Sequence, residues 1–336
     1  MGKTLLVAEL SANHGYDLDI ALQTVRAAKA SGADAIKLQT YTPDTITIDS
    51  DQEWFRIDKG TKWDGRNLYD LYAEAYTPWE WHEAIKKEAE KQGLVFFSTP
   101  FDRTAVDFLE DLGVPMYKIA SFEITDLPLI EYTASKGKPI ILSTGIATLA
   151  DIEAAVSTCR KAGNDDITLL QCTSEYPADP GDANLLTMKN MADTFGVSVG
   201  LSDHTMGSPV ALAAVALGAS MIEKHFILRR IIGGPDASFS MEPEEFSNMA
   251  RDIRIVEKAL GRVDYSLTPR KLKSRYFSRS LFVVEDISVG EEFSERNTRS
   301  IRPGLGLPPV LLPEILGKKA RHALKKGTPL GWGHVE

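Results

Sequence analysis

Short apolar runs recur along the chain, each preceded by a helical pattern, a glycine and one or two further residues. The unit appears as AAKASGADAIKLQT, EAEKQGLVFFSTP, FLEDLGVPMYKIAS, YTASKGKPIILSTG, CRKAGNDDITLLQC, ADTFGVSVGLSD and AVALGASMIEKH. Glycine just past a helix supplies the left-handed backbone that ends it. The apolar runs are continuous rather than alternating, which marks strands buried on both faces of a parallel sheet. With the opening TLLVAEL they predict eight strands. Helical patterns fall near 17–31, 78–92, 103–112, 127–136, 148–162, 184–194, 207–217 and 243–260. Eight strand–helix units in about 260 residues predict an α/β fold, a (β/α)8 TIM barrel. An open doubly wound sheet is the alternative, but no G-x-G-x-x-G opens the first helix.

Two stretches depart from the repeat. Residues 41–77 hold DQEWFRIDKGTKWDGRNLYDLY, whose aromatics predict a packed insertion or lid over the barrel top. After the last helix, GRVDYSLTPRKLKSRYFSRS is basic and lacks helical periodicity, and residues 262–279 read as a linker. From Ser280 the pattern becomes short β-like pieces with turn glycines and prolines, predicting a small β-rich domain over 280–336. The barrel would then occupy residues 1–261.

Composition narrows the function. A net charge of −9 argues against a general nucleic-acid partner. No apolar run approaches the roughly 20 residues of a membrane span. The N-terminus enters a strand without a signal-peptide pattern, so a cytoplasmic protein is expected. Two cysteines make no disulfide framework: Cys159 reads as a helix core thiol, and Cys172 as the close of an apolar strand. Charge is unevenly placed. Residues 262–336 carry 14 Lys and Arg against 8 Asp and Glu, whereas the rest carries 24 against 39. A basic module beside an acidic body suggests docking on something negative: its own barrel, a partner subunit or an anionic substrate.

In this barrel class the chemistry sits at the C-terminal strand ends. Those ends carry Glu9, then Lys37 and Gln39, Thr99 to Phe101, Lys118 and Ser121, Ser143, Tyr176 beyond strand six, Ser202 and His204, and Glu223 to His225. Strands seven and eight are neighbours, so His204 and His225 can converge on one divalent metal, with Glu223 a direct ligand or a supporting group. Two imidazoles with open positions suit a catalytic site; Mn²⁺ or Mg²⁺ fits if substrate oxygens complete the shell, and Zn²⁺ is an alternative. Hydrogen-bonded core histidines are the other reading. Lys37 and Lys118 lie in apolar strands among hydroxyls, a cradle for phosphate or carboxylate, although one could serve as a Schiff-base lysine. Glu9 remains for base or water-positioning work, or is a satisfied buried acid.

These segments resemble the sialic acid synthase family. The matching motifs are ELSANHG, AIKLQT, FFSTPFD, YKIAS, ILSTGIATLADIEAAV, LLQCTSEYP, VGLSDHT, IEKHF and GGPDASFSMEPEEF. The stretch from SLFVVEDISVGEEFSERNTRSIRPGLGL through KKGTPLGW resembles that family's antifreeze-like (SAF) domain. The resemblance runs the length of the chain and implies condensation of phosphoenolpyruvate with an open-chain amino sugar. It would place phosphoenolpyruvate on Lys37, Thr99, Lys118, Ser121, Ser143 and Ser202, and a divalent metal (Mn²⁺, Mg²⁺ or Co²⁺) on His204 and His225. Glu9 would position or deprotonate the water that adds at C2. Gln39, Phe101, Tyr176 and Asp236 match sugar-contacting or adjacent positions. Arg302, in SIRPG, matches an arginine offered to the sugar's N-acyl group in the partner subunit's site, implying a homodimer with the C-terminal domain swapped over the partner barrel. Family members typically read E-I-G-x-N-H-x-G at the first strand. Here Leu10 and Ser11 stand at the Ile and Gly places, and with TPWEWHE, NLYDLY and GGPDASFS this points to a branch using 2,4-diacetamido-2,4,6-trideoxy-L-altrose instead of N-acetylmannosamine.

Two rival readings stand apart from the resemblance. A barrel metal hydrolase would want further ligands such as H-x-H after strand one, where only Asn13-His14 is found. A non-catalytic barrel carrying a carbohydrate-binding module would not need inward lysines and histidines.

Overall fold

The computed structural model describes residues 2–58, 60, 61 and 63–336, which divide into two compact units, Met1–Gly261 and Arg262–Glu336. The first is a closed parallel barrel whose strands pair in sequence order. They are β1 (Leu5–Glu9), β2 (Ala35–Thr40), β3 (Val95–Pro100), β4 (Tyr117–Ile119), β5 (Ile140–Ser143), β6 (Ile167–Cys172), β7 (Ser198–Asp203) and β8 (Met221–His225), with β8 closing on β1.

Helices cover the outside. Leu18–Ala30 starts where Asp17 accepts from the Asp19 and Ile20 amides, and it buries Ala21, Val25 and Ala28 along one stripe. Arg103–Leu112 is capped by Asp102 and closed by Gly113 at φ +73°, a conformation a side chain would strain. Two apolar layers result. Outward residues such as Leu6, Ile36, Leu201 and Ile222 join the helices in one core. Inward residues Val7, Ala35, Phe97, Ile141, Leu170 and Met221 form a separate cluster that fills the barrel. Gly200 is forced by this packing, because an added Cβ would stand 2.5 Å from the Met221 carbonyl oxygen.

The insertion after β2 carries the helices Pro43–Ile46 and Leu68–Ala75. In the second unit, β9 (Ser280–Val283) pairs antiparallel with β10 (Thr298–Ile301). Leu281, Val283, Phe293, Ile315 and Leu330 belong to its own core. The expected linker, 262–279, includes a short helix although its sequence shows no helical periodicity. Pro269–Arg275 is helical, begun by Thr268, whose hydroxyl accepts from the Lys271 amide, and by Pro269 in the first turn. Seven residues, mostly charged, leave no apolar period to read. Among the described residues no helix is long and apolar enough to cross a membrane.

Candidate active site

One inward step along the strands changes the barrel interior from apolar to ionic. Two residues beyond the apolar cluster stand Glu9, Lys37, Thr99, Ser143, Cys172 and Glu223, because side chains on a strand alternate faces. All six are buried, as is Lys118 on β4. The Lys37 ammonium stands 2.6 Å from Glu9 Oε2 and 3.8 Å from Glu223 Oε2, and donates to Thr99 Oγ1 at 3.1 Å. Lys118 lies 3.6 Å from Glu223 Oε1, which accepts from Ser202 Oγ at 3.0 Å. Two ammonium groups and two carboxylates thus share one small volume.

That arrangement sets the ionisation. Burial pushes the Glu9 carboxyl up to about 7, against the pull of Lys37. Burial also raises Glu223, but Lys118 and Lys37 outweigh it and hold this carboxyl below its ordinary value. Burial lowers Lys37, and Glu223 and Glu9 more than reverse the effect. For Lys118 burial prevails and its pKa is lowered. Glu9 Oε1 and Ser143 Oγ are buried without a hydrogen-bond partner among the described residues. Buried polar atoms are nearly always satisfied, which singles out these two as candidate contacts for a bound group.

The expected histidines meet at the mouth. His204 follows β7, His225 ends β8, and their ring centroids are 5.3 Å apart. His204 Nδ1 donates to the Thr173 carbonyl at 2.8 Å, so in the neutral ring the lone pair falls on Nε2. His225 Nδ1 is 3.7 Å from Asp236 Oδ2, itself an acceptor from Ser11 Oγ at 2.6 Å. Among the described residues no group of three or more His, Cys, Asp or Glu side chains is arranged to enclose a metal. Two imidazoles alone would leave the remaining positions of a divalent ion to water or substrate oxygens.

Aromatic side chains wall this corner. Tyr176 packs on His204 at 4.4 Å between centroids, on His225 at 6.1 Å and on Phe239 at 5.2 Å. Trp63 from the insertion reaches Tyr176 at 5.8 Å, so the insertion helps line the mouth. Phe101 packs on Tyr41 at 5.1 Å, and Gln39 is half-buried one inward step beyond Lys37. Ser121 Oγ accepts from the Gly145 amide at 3.1 Å, and an added Cβ at Gly145 would meet that oxygen at 2.8 Å. Arg302 is exposed just after β10, in the second unit.

Two residues of the mouth escape a sequence reading. Cys172, read as the close of an apolar strand, places Sγ 3.8 Å from His204 Nδ1. Burial raises its thiol, but His204, Ser121 and Lys118 outweigh that and bring it down to about 7. Glu123, just past Ser121, is pushed up to about 7 by burial, with Oε2 lacking a hydrogen-bond partner among the described residues. An acid two residues beyond a predicted anion-binding serine was the available signal.

Fold and site together define a barrel with an ionic, hydroxyl-rich mouth at its C-terminal face. The chain belongs to the NeuB family, whose model matches residues 24–265, and a SAF domain matches residues 278–336. It is 51% identical over 332 residues to the pseudaminic acid synthase of Helicobacter pylori, covering 98% of this chain and 97% of that one. The pseudaminic acid synthase of Campylobacter jejuni is 46% identical over 334 residues, covering 99% and 97%. Among solved structures, the N-acetylneuraminic acid synthetase of Leptospira borgpetersenii in complex with citrate superposes with a TM-score of 0.71 at 32% identity, covering 81% of this chain and 90% of that one.

Proposed function

We propose that the protein is a pseudaminic acid synthase, condensing phosphoenolpyruvate with 2,4-diacetamido-2,4,6-trideoxy-L-altrose and water to give a nine-carbon 2-keto sugar acid and phosphate. The observation that carries the sugar is identity of 51% and 46% with two pseudaminic acid synthases over nearly the whole chain, against 32% with an N-acetylneuraminic acid synthetase. The paired lysines and hydroxyls of the mouth support the phosphoenolpyruvate half.

Lys37, Lys118, Thr99, Ser121, Ser143 and Ser202 bind the phosphate and carboxylate of phosphoenolpyruvate. An incoming trianion competes with Glu9 and Glu223 for the two ammonium groups. C3 of phosphoenolpyruvate attacks the open-chain aldehyde of the sugar, forming the new carbon–carbon bond. A divalent metal held by His204 and His225 would polarise that aldehyde and ease the developing alkoxide. Glu9, released from Lys37, orients the water that adds at C2 and takes its proton. Collapse of that adduct breaks the C2–O bond and expels phosphate. Gln39, Phe101, Tyr176 and Asp236 hold the sugar, and Glu223 keeps the lysines in place.

The chain is further proposed to act in the cytoplasm as a homodimer. Its C-terminal domain would cover the partner's barrel, with Arg302 completing the partner's site. The excess of positive charge in residues 262–336 against the acidic remainder supports that docking.

Phosphate release from phosphoenolpyruvate with a panel of amino sugars tests the reading. The 2,4-diacetamido-trideoxy-L-altrose should give the highest kcat/KM; a higher value with N-acetylmannosamine or a legionaminate precursor would overturn the branch assignment while leaving the family intact.

A further inference from the structure

Beside the two histidines lies a buried ion pair that no step of this chemistry uses. Asp203 and Lys224 are register partners on β7 and β8, one residue from Ser202 and Glu223. Alternation turns Ser202, Glu223 and His225 into the barrel, so Asp203 and Lys224 face the layer between barrel and helices. Their neighbours on that face, Leu201 and Ile222, belong to the apolar outer core. The side chains are 1% and 2% exposed.

The pair is fully engaged. Lys224 Nζ donates to Asp203 Oδ2 at 2.7 Å and to the Thr205 carbonyl at 2.6 Å. Asp203 Oδ1 accepts from the Thr205 amide at 2.9 Å and from its hydroxyl at 2.8 Å. One ion pair therefore grips the residues on both sides of His204 and the residue before His225. Stability alone is a poor reason for it, since replacing a buried ion pair by apolar residues is often neutral or stabilising. Position is a better one. The two histidines lie on different strands, and a metal tolerates only a few tenths of an ångström of error in each bond.

We propose that Asp203, Lys224 and Thr205 form a positioning clamp that fixes His204 against His225 and thereby sets the affinity of the site for a divalent metal. The clamp touches neither substrate nor metal. It rests on the reading that these two histidines bind the ion.

The test is calorimetric titration of Mn²⁺ into metal-free full-length protein, with thermal unfolding recorded in chelator and in Mn²⁺. The parent is compared with Asp203→Asn/Lys224→Met, with Thr205→Val and with His225→Ala. The double variant removes both charges, so neither is left buried alone. It should bind Mn²⁺ about 10- to 100-fold more weakly, the usual range when support of a ligand is lost. Its gain in melting temperature on adding Mn²⁺ should shrink, whereas a merely structural pair would lower the melting temperature equally with and without metal. Thr205→Val deletes one hydrogen bond and should weaken binding less, and it decides the matter if the double variant does not fold. Parent-like affinity in these folded variants, with His225→Ala defective, would overturn the clamp alone. Parent-like affinity in His225→Ala would overturn the histidine reading and the clamp with it.

Discussion

The floor and the mouth of this barrel are built by the same strands, one inward step apart, and they follow opposite rules. On the floor, Val7, Ala35, Phe97, Ile141, Leu170 and Met221 pack without a polar atom among their side chains. Below them, Asp34 takes Lys3, Arg254 and the Leu6 amide, and Arg254 also meets Glu257 at 2.7 Å, so charge there is paired at the rim. At the mouth, Glu9, Lys37, Lys118 and Glu223 are buried together, and Glu9 Oε1 and Ser143 Oγ find no hydrogen-bond partner among the described residues. The floor is finished as a fold. The mouth concentrates buried charges and hydroxyls, at a cost in stability that the floor and the outer core offset.

The largest effect expected from that contrast is at Glu9. Glu9→Gln should lower kcat/KM by about 10²- to 10⁴-fold, the range for loss of a positioned base, while the protein still folds. In the parent, kcat/KM should rise with pH through about 7, where the buried carboxyl ionises, and the variant should lack that limb. Stability runs the other way. A carboxyl raised in the folded state contributes fully below its ordinary value of 4.5, and that contribution is lost as pH rises through about 7.

Phe97→Ala breaks the comparison from below. Emptying the barrel floor should cost about 3–5 kcal/mol of stability by chemical denaturation, as for other buried phenylalanines. Turnover per folded molecule should fall far less than in Glu9→Gln. Ser143→Ala sharpens the contrast. Its hydroxyl is buried without a partner among the described residues, so stability should hold or rise, while phosphoenolpyruvate affinity falls by roughly 0.5–1.5 kcal/mol for one lost hydrogen bond. The smallest effect belongs to Lys87→Ala, on the exposed Lys87–Glu83 pair, which solvent already screens. Unfolding and turnover should both match the parent.

The barrel was legible because a parallel strand covered on both faces reads as an unbroken apolar run, and Glu9, Lys37, Lys118, His204 and His225 interrupt such runs at their ends. The same feature hides which way a side chain faces. In MIEKH every residue is buried, so period-two alternation leaves no trace in hydropathy. Glu223, Lys224 and His225 read as one charged strand end, yet Lys224 lies on the other side of the sheet with Asp203. Cys172 was illegible for a similar reason, since its meaning comes from His204, 32 residues away. The helix Pro269–Arg275 was missed because a short charged helix shows no stripe, although Thr268 and Pro269 marked its start.

The central claim is that the inward residues of the mouth, and not those of the floor, receive phosphoenolpyruvate. Calorimetric titration of phosphoenolpyruvate into the parent, Lys37→Met, Lys118→Met and Met221→Ala tests it directly. Each lysine variant should lose roughly 1.5–3 kcal/mol of binding, as expected for a charge-assisted hydrogen bond, while Met221→Ala binds like the parent. Parent-like binding by both lysine variants would contradict the account.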